Sequence, residues 1–189
     1  MSLIIDNLKE AIKGENNAQR KYELFSENAI KENFNEVAHI FRATSFAESI
    51  HIKNHLKALS VITNSTVTYR EIGIVDEKIL KNKIKDTLSN LQDAIKGELY
   101  ETKVMYKKFK KNAVSEGIDI AELSFSLAKD AERVHANLFS NYLKDLKKKK
   151  KFKPKKIYVC RICGNIEFDS PPEKCPVCDH SSKFFREIV

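Results

Sequence analysis

The chain of 189 residues contains no tryptophan, two methionines, five glycines and four prolines. So few backbone breakers exclude collagen-like and Gly/Pro-rich disordered classes. No run approaches the ~18 consecutive apolar residues of a membrane-spanning helix. Met1 to Glu15 mixes charges among its apolar residues, which no secretory signal does. A cytoplasmic protein with no membrane partner is therefore expected. Cysteine is missing from the chain until Cys160, and all four cysteines fall between there and Cys178.

Charge, by contrast, is abundant: 32% of residues carry it, and with so few breakers this favours long exposed helices. The net charge of +8 resembles a nucleic-acid signature until its distribution is examined. Eight lysines and no acid lie between Lys147 and Lys156, and this run carries the whole excess. A nucleic-acid surface would spread its basic residues over a folded face. The run reads instead as a solvated, self-repelling linker, with contact to an acidic partner as the other possibility. No nucleic-acid partner is expected.

Four long helical patterns precede the run. The first has an inward seam of Ile4, Leu8, Ala11, Glu15, Ala18, Tyr22, Phe25 and Ala29, spaced by threes and fours. The second extends from about Phe34 to Ile62, with Val37, Phe41, Thr44, Glu48, His51, His55 and Ala58 in register. Thr63 to Asp76, which holds Gly73, reads as a long crossover. A third helix from about Glu77 to Val114 presents Leu91, Ala94, Glu98, Glu101, Met105 and Phe109, with Gly117 as its stop. The fourth starts near Asp119 as N-cap and presents Ala121, Phe125, Ala128, Glu132, His135, Phe139, Tyr142 and Leu146. The expected architecture is an all-α four-helix bundle with one long crossover over residues 1–146, a Lys-rich linker over 147–156, and a small unit over 157–189. That last unit is too short to build a sufficient core and needs a staple.

The bundle repeats itself. Asn7-Leu-Lys-Glu-Ala-Ile-Lys-Gly-Glu15 returns 83 residues later as Asn90-Leu-Gln-Asp-Ala-Ile-Lys-Gly-Glu98, identical at seven of nine positions. Ala47-Glu48-Ser-Ile-His51 returns 84 residues later as Ala131-Glu132-Arg-Val-His135. Two related helix hairpins are implied, with a pseudo-twofold axis between them. Glu15, Glu48, Glu98 and Glu132 then occupy inward positions on four different helices. Buried carboxylates need compensating positive charge, and no Lys or Arg lies on these seams near them. Metal ions can supply it. Glu and His at i, i+3 share one helix face, so Glu48/His51 and Glu132/His135 can reach the same pair of metals. One Glu from each of two helices plus Glu-x-x-His from each of the other two is the pattern known from ferritin-like and designed di-iron proteins. Carboxylates with one imidazole per metal suit iron, then manganese, and zinc less.

Three neighbouring features need separate readings. Glu36-Val-Ala-His39 repeats the Glu-x-x-His spacing, but it has no counterpart in the repeat and is expected on the helix surface. Glu101 lies one turn after Glu98 where the first hairpin has Ala18, giving a seventh potential ligand on one side only. His55, one turn beyond His51, is expected to support the site from outside it or to face solvent.

Cys160-Arg-Ile-Cys163-Gly164 and Cys175-Pro-Val-Cys178-Asp179 form two Cys-x-x-Cys knuckles separated by eleven residues. Four thiolates at this spacing make a tetrahedral site for iron or zinc. Gly164 can take positive φ and turn backbone N–H groups toward the sulfurs.

With both units read, the chain resembles rubrerythrin over essentially its whole length. The residues that carry the likeness are Ala11 to Glu15, Ala47-Glu48-x-x-His51, Ala94 to Glu101, Ala131-Glu132-x-x-His135 and the cysteine knuckles. The resemblance implies a ferritin-like di-iron bundle joined to a rubredoxin-like iron–tetrathiolate domain, acting as a peroxidase. Its cofactors would be two Fe in a carboxylate-bridged site and one Fe held by Cys160, Cys163, Cys175 and Cys178, with Zn as a possible substitute there. Glu48 and Glu132 would bridge the irons, Glu15, Glu98 and His135 would be terminal ligands, and Glu101 and His51 would exchange with redox state. Tyr22 and Tyr106 match family tyrosines that bond site carboxylates. Hydrogen peroxide would be the substrate, an external electron-donor protein or reductase the partner, and a homodimer or higher oligomer the assembly. The sulfur site would serve a partner subunit's di-iron centre. Asp179 stands where such knuckles usually have Gly, and Asp tolerates the left-handed conformation. In the absence of Trp, Tyr158 is expected to cover the cluster. Iron oxidation and storage is the alternative function, as is electron transfer with zinc among the cysteines.

Overall fold

A computed structural model describes residues 2–72 and 75–189; Gly73, inside the expected crossover, lies outside the described residues. Seven α-helices are seen: α1 (Ser2–Lys31), α2 (Asn35–Thr63), the short α3 (Tyr69–Ile72) and α4 (Glu77–Lys81), α5 (Thr87–Tyr100), α6 (Tyr106–Ser115) and α7 (Asp119–Lys147). A π-helical turn, Glu101–Met105, joins α5 to α6. α1 packs along α2, α5 and α6 pack along α7, and α2 meets α7. This is the expected four-helix bundle with a long crossover.

Two helix starts differ from expectation. The third long helix begins at Thr87, not Glu77, because Asp86 caps it by accepting from the Ser89 N–H at 2.8 Å. Asn90 reinforces the cap by accepting from the Lys85 N–H at 3.0 Å. These side-chain acceptors satisfy orphan donors that a continuous helix would not have. Asp119 is not the N-cap of α7; Ile118 holds that place without a side-chain bond, and Asp119 sits in the first turn, where its charge suits the helix dipole. Gly117 does end the preceding helix, at φ +67°.

The apolar core falls into two clusters. One stacks Tyr22, Phe25, Phe41 and Phe139, with ring centroids 5.2–6.2 Å apart. The other gathers Ile4, Leu8, Tyr106, Phe109 and Phe125. The glutamate layer lies between them, reached by Tyr22 from one and Tyr106 from the other.

The C-terminal unit is a three-stranded antiparallel sheet in the order β2 (Ile166–Phe168), β1 (Ile157–Cys160), β3 (Phe185–Ile188). Its small apolar face, Ile157, Val159, Ile166 and Ile188, joins the first bundle cluster and is not a separate core. The unit therefore rests on its own chain's bundle rather than reaching away from it. Phe152, inside the Lys run, stacks on Tyr142 at 5.2 Å, so the expected free linker is pinned at one point. His39, expected on open surface, bonds the Ile188 carbonyl at 2.8 Å, and Arg42 donates to the Val189 carbonyl at 2.7 Å. Both hold β3 to α2.

Phe41 touches three other rings of the first cluster and is fully buried. Phe41→Ala is expected to lower unfolding stability by about 3–5 kcal/mol, read as a shifted urea midpoint with unchanged slope.

Candidate metal centres

Glu15 on α1, Glu48 and His51 on α2, Glu98 on α5, and Glu132 and His135 on α7 are all 0% exposed. Their ligand atoms form two groups, Glu15/Glu48/His51/Glu132 and Glu48/Glu98/Glu132/His135, in each of which all lie within 4.8 Å of one another. Glu48 and Glu132 belong to both groups and are thus placed to bridge. The pseudo-symmetry of the repeat appears here as two half-sites, each with one histidine.

The imidazoles reveal what the cluster is built to hold. His51 Nε2 bonds the Cys163 carbonyl and His135 Nε2 the Gly164 carbonyl, both at 3.0 Å. Each carbonyl can only accept, so each Nε2 carries hydrogen, and Nδ1 is left as the inward lone pair. His51 Nδ1 stands 2.7 Å from Glu132 and 2.9 Å from Glu48; His135 Nδ1 stands 2.7 Å from Glu132 and 3.6 Å from Glu98. Lone pairs facing carboxylate oxygens at such distances require a shared cation. Burial alone would lower both imidazoles, but Glu132 beside them holds both well above their usual range. Burial, then the Glu132 charge, pushes Glu98 up to about 7, and burial and the same charge raise Glu48 well above the carboxylate range. One oxygen of each of Glu15, Glu48, Glu98 and Glu132 still has no hydrogen-bond partner. Four orphaned buried oxygens around two inward nitrogens fit a pair of metal ions.

The remaining lone pairs are held from outside. Tyr22 donates to Glu98 and Tyr106 to Glu15. Since the Tyr106 hydroxyl gives its hydrogen to Glu15, it accepts from His55 Nε2 at 2.9 Å, which leaves His55 Nδ1 to accept from Ser124 Oγ at 2.7 Å. His55 therefore braces a tyrosine instead of facing solvent, and Ser124 is a contributor that sequence reasoning missed. Glu101 lies outside both ligand groups, and burial and the charge of Glu15 raise its carboxyl well above the usual range.

The π-turn explains a numerical oddity of the repeat. Glu15 and Glu98 correspond at 83 residues, but Tyr22 and Tyr106 correspond at 84. The second hairpin thus has one extra residue between glutamate and tyrosine. It is absorbed where the Tyr106 N–H bonds the Glu101 carbonyl in an i→i+5 turn, over Glu101–Met105. The wide turn restores the phase, so Tyr106 points inward like Tyr22.

Cys160, Cys163, Cys175 and Cys178 likewise converge within 4.8 Å. Gly164 at φ +82° and Asp179 at φ +59° occupy equivalent positions after the two knuckles. The Gly164 N–H donates to the Cys160 carbonyl and the Asp179 N–H to that of Cys175, both at 2.9 Å. The cluster is covered by Leu127, Ile162, Val177, Phe184 and Phe185. Tyr158, expected in that role, bonds Glu187 at 2.9 Å across the sheet; its place on the strand aims it at Glu187, not at the sulfurs.

These two sites define a class, the ferritin-like carboxylate bundles that carry an appended tetrathiolate unit. Residues 6–157 match the family model described as Rubrerythrin, and residues 158–186 that described as Rubrerythrin, rubredoxin-like domain. Rubrerythrin-2 of Clostridium acetobutylicum is 32% identical over 179 residues, covering 94% of this chain and 92% of that protein. Nigerythrin of Nitratidesulfovibrio vulgaris is 33% identical over 174 residues, covering 92% and 81% respectively. The solved structure of fully reduced, all-ferrous nigerythrin superposes with a TM-score of 0.84 at 30% identity, covering 98% of this chain and 86% of that one. The chain belongs to the rubrerythrin family. Its two clusters are the family's di-iron carboxylate–histidine site and four-cysteine rubredoxin-like site.

Two substitutions probe these contacts. A Cβ at Gly164 would stand 2.5 Å from His51 Nε2 and 3.3 Å from the Ala47 carbonyl, in a conformation that disfavours L side chains. Gly164→Ala is expected to separate the cysteine unit from the bundle, read as faster amide exchange across β1 and loss of the His51 Nε2–H signal's protection. His55→Phe removes the donor behind Tyr106 and is expected to weaken iron binding at the bundle site by about 10–100-fold, measured by chelator competition, with the cysteine site unaffected.

Proposed function

We propose that the protein is a cytoplasmic peroxidase that reduces hydrogen peroxide to two waters, taking two electrons and two protons per turnover. The electrons arrive singly through the four-cysteine centre from an external donor. One observation carries the reading: both candidate ligand histidines are hydrogen-bonded to the backbone of the Cys163-Gly164 knuckle. A protein that only oxidised and stored iron would have no use for a sulfur centre one hydrogen bond from its carboxylate site.

Within this reading Glu48 and Glu132, which belong to both ligand groups, would be shared between the two irons. Glu15, Glu98 and His135 would each hold one of them, and His51 and Glu101 would be alternates for one position. The two irons, when bound, supply Lewis acidity and the electrons that break the O–O bond. The chain does the rest. Full burial of Glu15, Glu48, His51, Glu98, Glu132 and His135 keeps bulk water from the reacting atoms. Tyr22 and Tyr106 fix the orientation of Glu98 and Glu15, leaving one oxygen of each carboxylate free. The imidazole N–H groups of His51 and His135 fix their Nδ1 atoms inward and couple them to the sulfur centre. Among the described residues no helix is long and apolar enough to cross a membrane.

The test uses iron-reconstituted protein, reduced anaerobically and mixed with stoichiometric hydrogen peroxide in a stopped-flow instrument. The visible thiolate-to-iron band of the oxidised cysteine site is expected to return rapidly as peroxide disappears. Peroxide that persists while ferrous iron and dioxygen turn over would replace this reading with iron oxidation. Protein purified from iron-rich medium without any such band would point to zinc among the cysteines.

A further inference from the structure

Electrons must enter the four-cysteine centre from outside, and the fold leaves one of its sulfurs near solvent. Cys160 and Cys163 are 0% exposed and Cys175 2%, whereas Cys178 is only half-buried. Cys178 lines a cavity of about 440 Å³ whose walls come from both domains. The bundle contributes Lys53, Lys57, Leu123 and Leu127, and the cysteine unit contributes Arg161 and His180. No carboxylate lines it. Lys53, Lys57 and Arg161 are not ion-paired among the described residues, while the nearby acids Asp179 and Glu122 are paired with Lys174 and Lys110. Leu123 is 59% exposed at its edge. An Asn54 side-chain bond to the Ile162 carbonyl, at 2.8 Å, ties the two walls together.

We propose that this cavity is the docking surface for the electron donor, and that the donor is a small acidic protein carrying a one-electron centre. The step transfers one electron from the reduced donor to the oxidised tetrathiolate iron, leaving the donor oxidised by one electron and the iron ferrous. A two-electron hydride donor does not match a centre that accepts electrons singly. Unpaired cations around an apolar contact are the complement of an acidic partner, and opposite charge raises encounter rates by about 10–10³-fold. Donor and acceptor would meet at Cys178 rather than across the buried thiolates.

The Lys147–Lys156 run is the rival surface, and its charge is locally countered. The cavity against Lys149, Lys150 and Lys151 is also lined by Glu32, Glu36 and Asp86, and Lys150 pairs with Asp145 at 2.6 Å. None of the four cysteines lines it.

The inference rests on the proposed function only in that electrons enter at the cysteine site, and its test involves no peroxide. The probe is an acidic plant-type ferredoxin. Its oxidised form is titrated calorimetrically into protein with zinc in the cysteine site, at ~0.01 M ionic strength, where charges act over about 30 Å. Its reduced form is mixed with iron-loaded protein to follow bleaching of the tetrathiolate band. Lys53→Glu, Lys57→Glu and Arg161→Glu combined are expected to raise Kd and slow bleaching by roughly tenfold or more, with the difference vanishing at high salt. Bleaching by dithionite should be unchanged, which shows the centre intact. A variant with Lys147 to Lys151 replaced by Ser should bind as the parent does. Unchanged affinity and rate in the triple variant would overturn the proposal, as would an equal loss in the Lys147–Lys151 variant, which would mean that the donor responds to net charge alone.

Discussion

Four carboxylates buried within one helical bundle, with no Lys or Arg among them, cannot be tolerated as anions without a counter-cation. Most of the architecture follows from that constraint. Each glutamate arrives on a different helix, so the bundle must close around the charges instead of avoiding them. Two tyrosines and two histidines take up some of the acceptor capacity, and four oxygens remain unsatisfied. These oxygens and the two inward Nδ1 atoms frame a pair of overlapping ligand groups that suits cations of carboxylate-and-imidazole preference. The site is therefore stable as a structure only insofar as something positive occupies it, protons at worst and metals at best.

The same constraint joins the two domains. An imidazole that gives its Nδ1 lone pair to the cluster has an Nε2–H to satisfy, and here the acceptors are the carbonyls of Cys163 and Gly164. Those carbonyls are available because Gly164 adopts positive φ and has no Cβ to collide with His51. Conformational freedom at one glycine thus serves two purposes. It shapes the knuckle around the sulfurs, and it allows the knuckle to approach the carboxylate site closely enough to hydrogen-bond it. The cysteine unit, too small for its own core, completes its apolar face against Phe41, Phe139 and their neighbours. Metal ligation inside the unit and burial against the bundle together stabilise what neither would alone.

Much of this was legible in the residues. Periodicity placed Glu15, Glu48, Glu98 and Glu132 inward, and the internal repeat distinguished Glu48/His51 and Glu132/His135 from Glu36/His39. What periodicity could not resolve was local phase. The change in repeat offset from 83 to 84 already contained the π-turn, yet a 3.6-residue template spreads one extra residue invisibly along a helix. Asp86 was likewise hidden, because a cap is defined by the donor it finds, and the pattern upstream continued without interruption. The docking of the cysteine unit was illegible for a different reason. Backbone carbonyls such as those of Cys163 and Ile188 carry no side-chain signature, so the partners of His39, His51 and His135 emerge only in three dimensions. Within this chain the sulfur site lies over its own bundle.

An asymmetry remains between two nearly equivalent hairpins, and it bears on redox work. In the first, residue 18 is Ala and the helix is regular; in the second, residue 101 is Glu and the helix widens into a π-turn. The widening keeps Tyr106 inward, so Glu15 and Glu98 are held alike while only one flank gains a further carboxylate. That carboxylate has burial and the charge of Glu15 against it, and it stays outside the ligand groups. Within the proposed function His51 and Glu101 would be alternates for one position, and His51 is already fixed by the Cys163 carbonyl. The flank that gains the extra carboxylate would then compete with a ligand that touches the sulfur domain, and it is one added residue and one Ala-to-Glu difference between the halves that give the repeat this asymmetry.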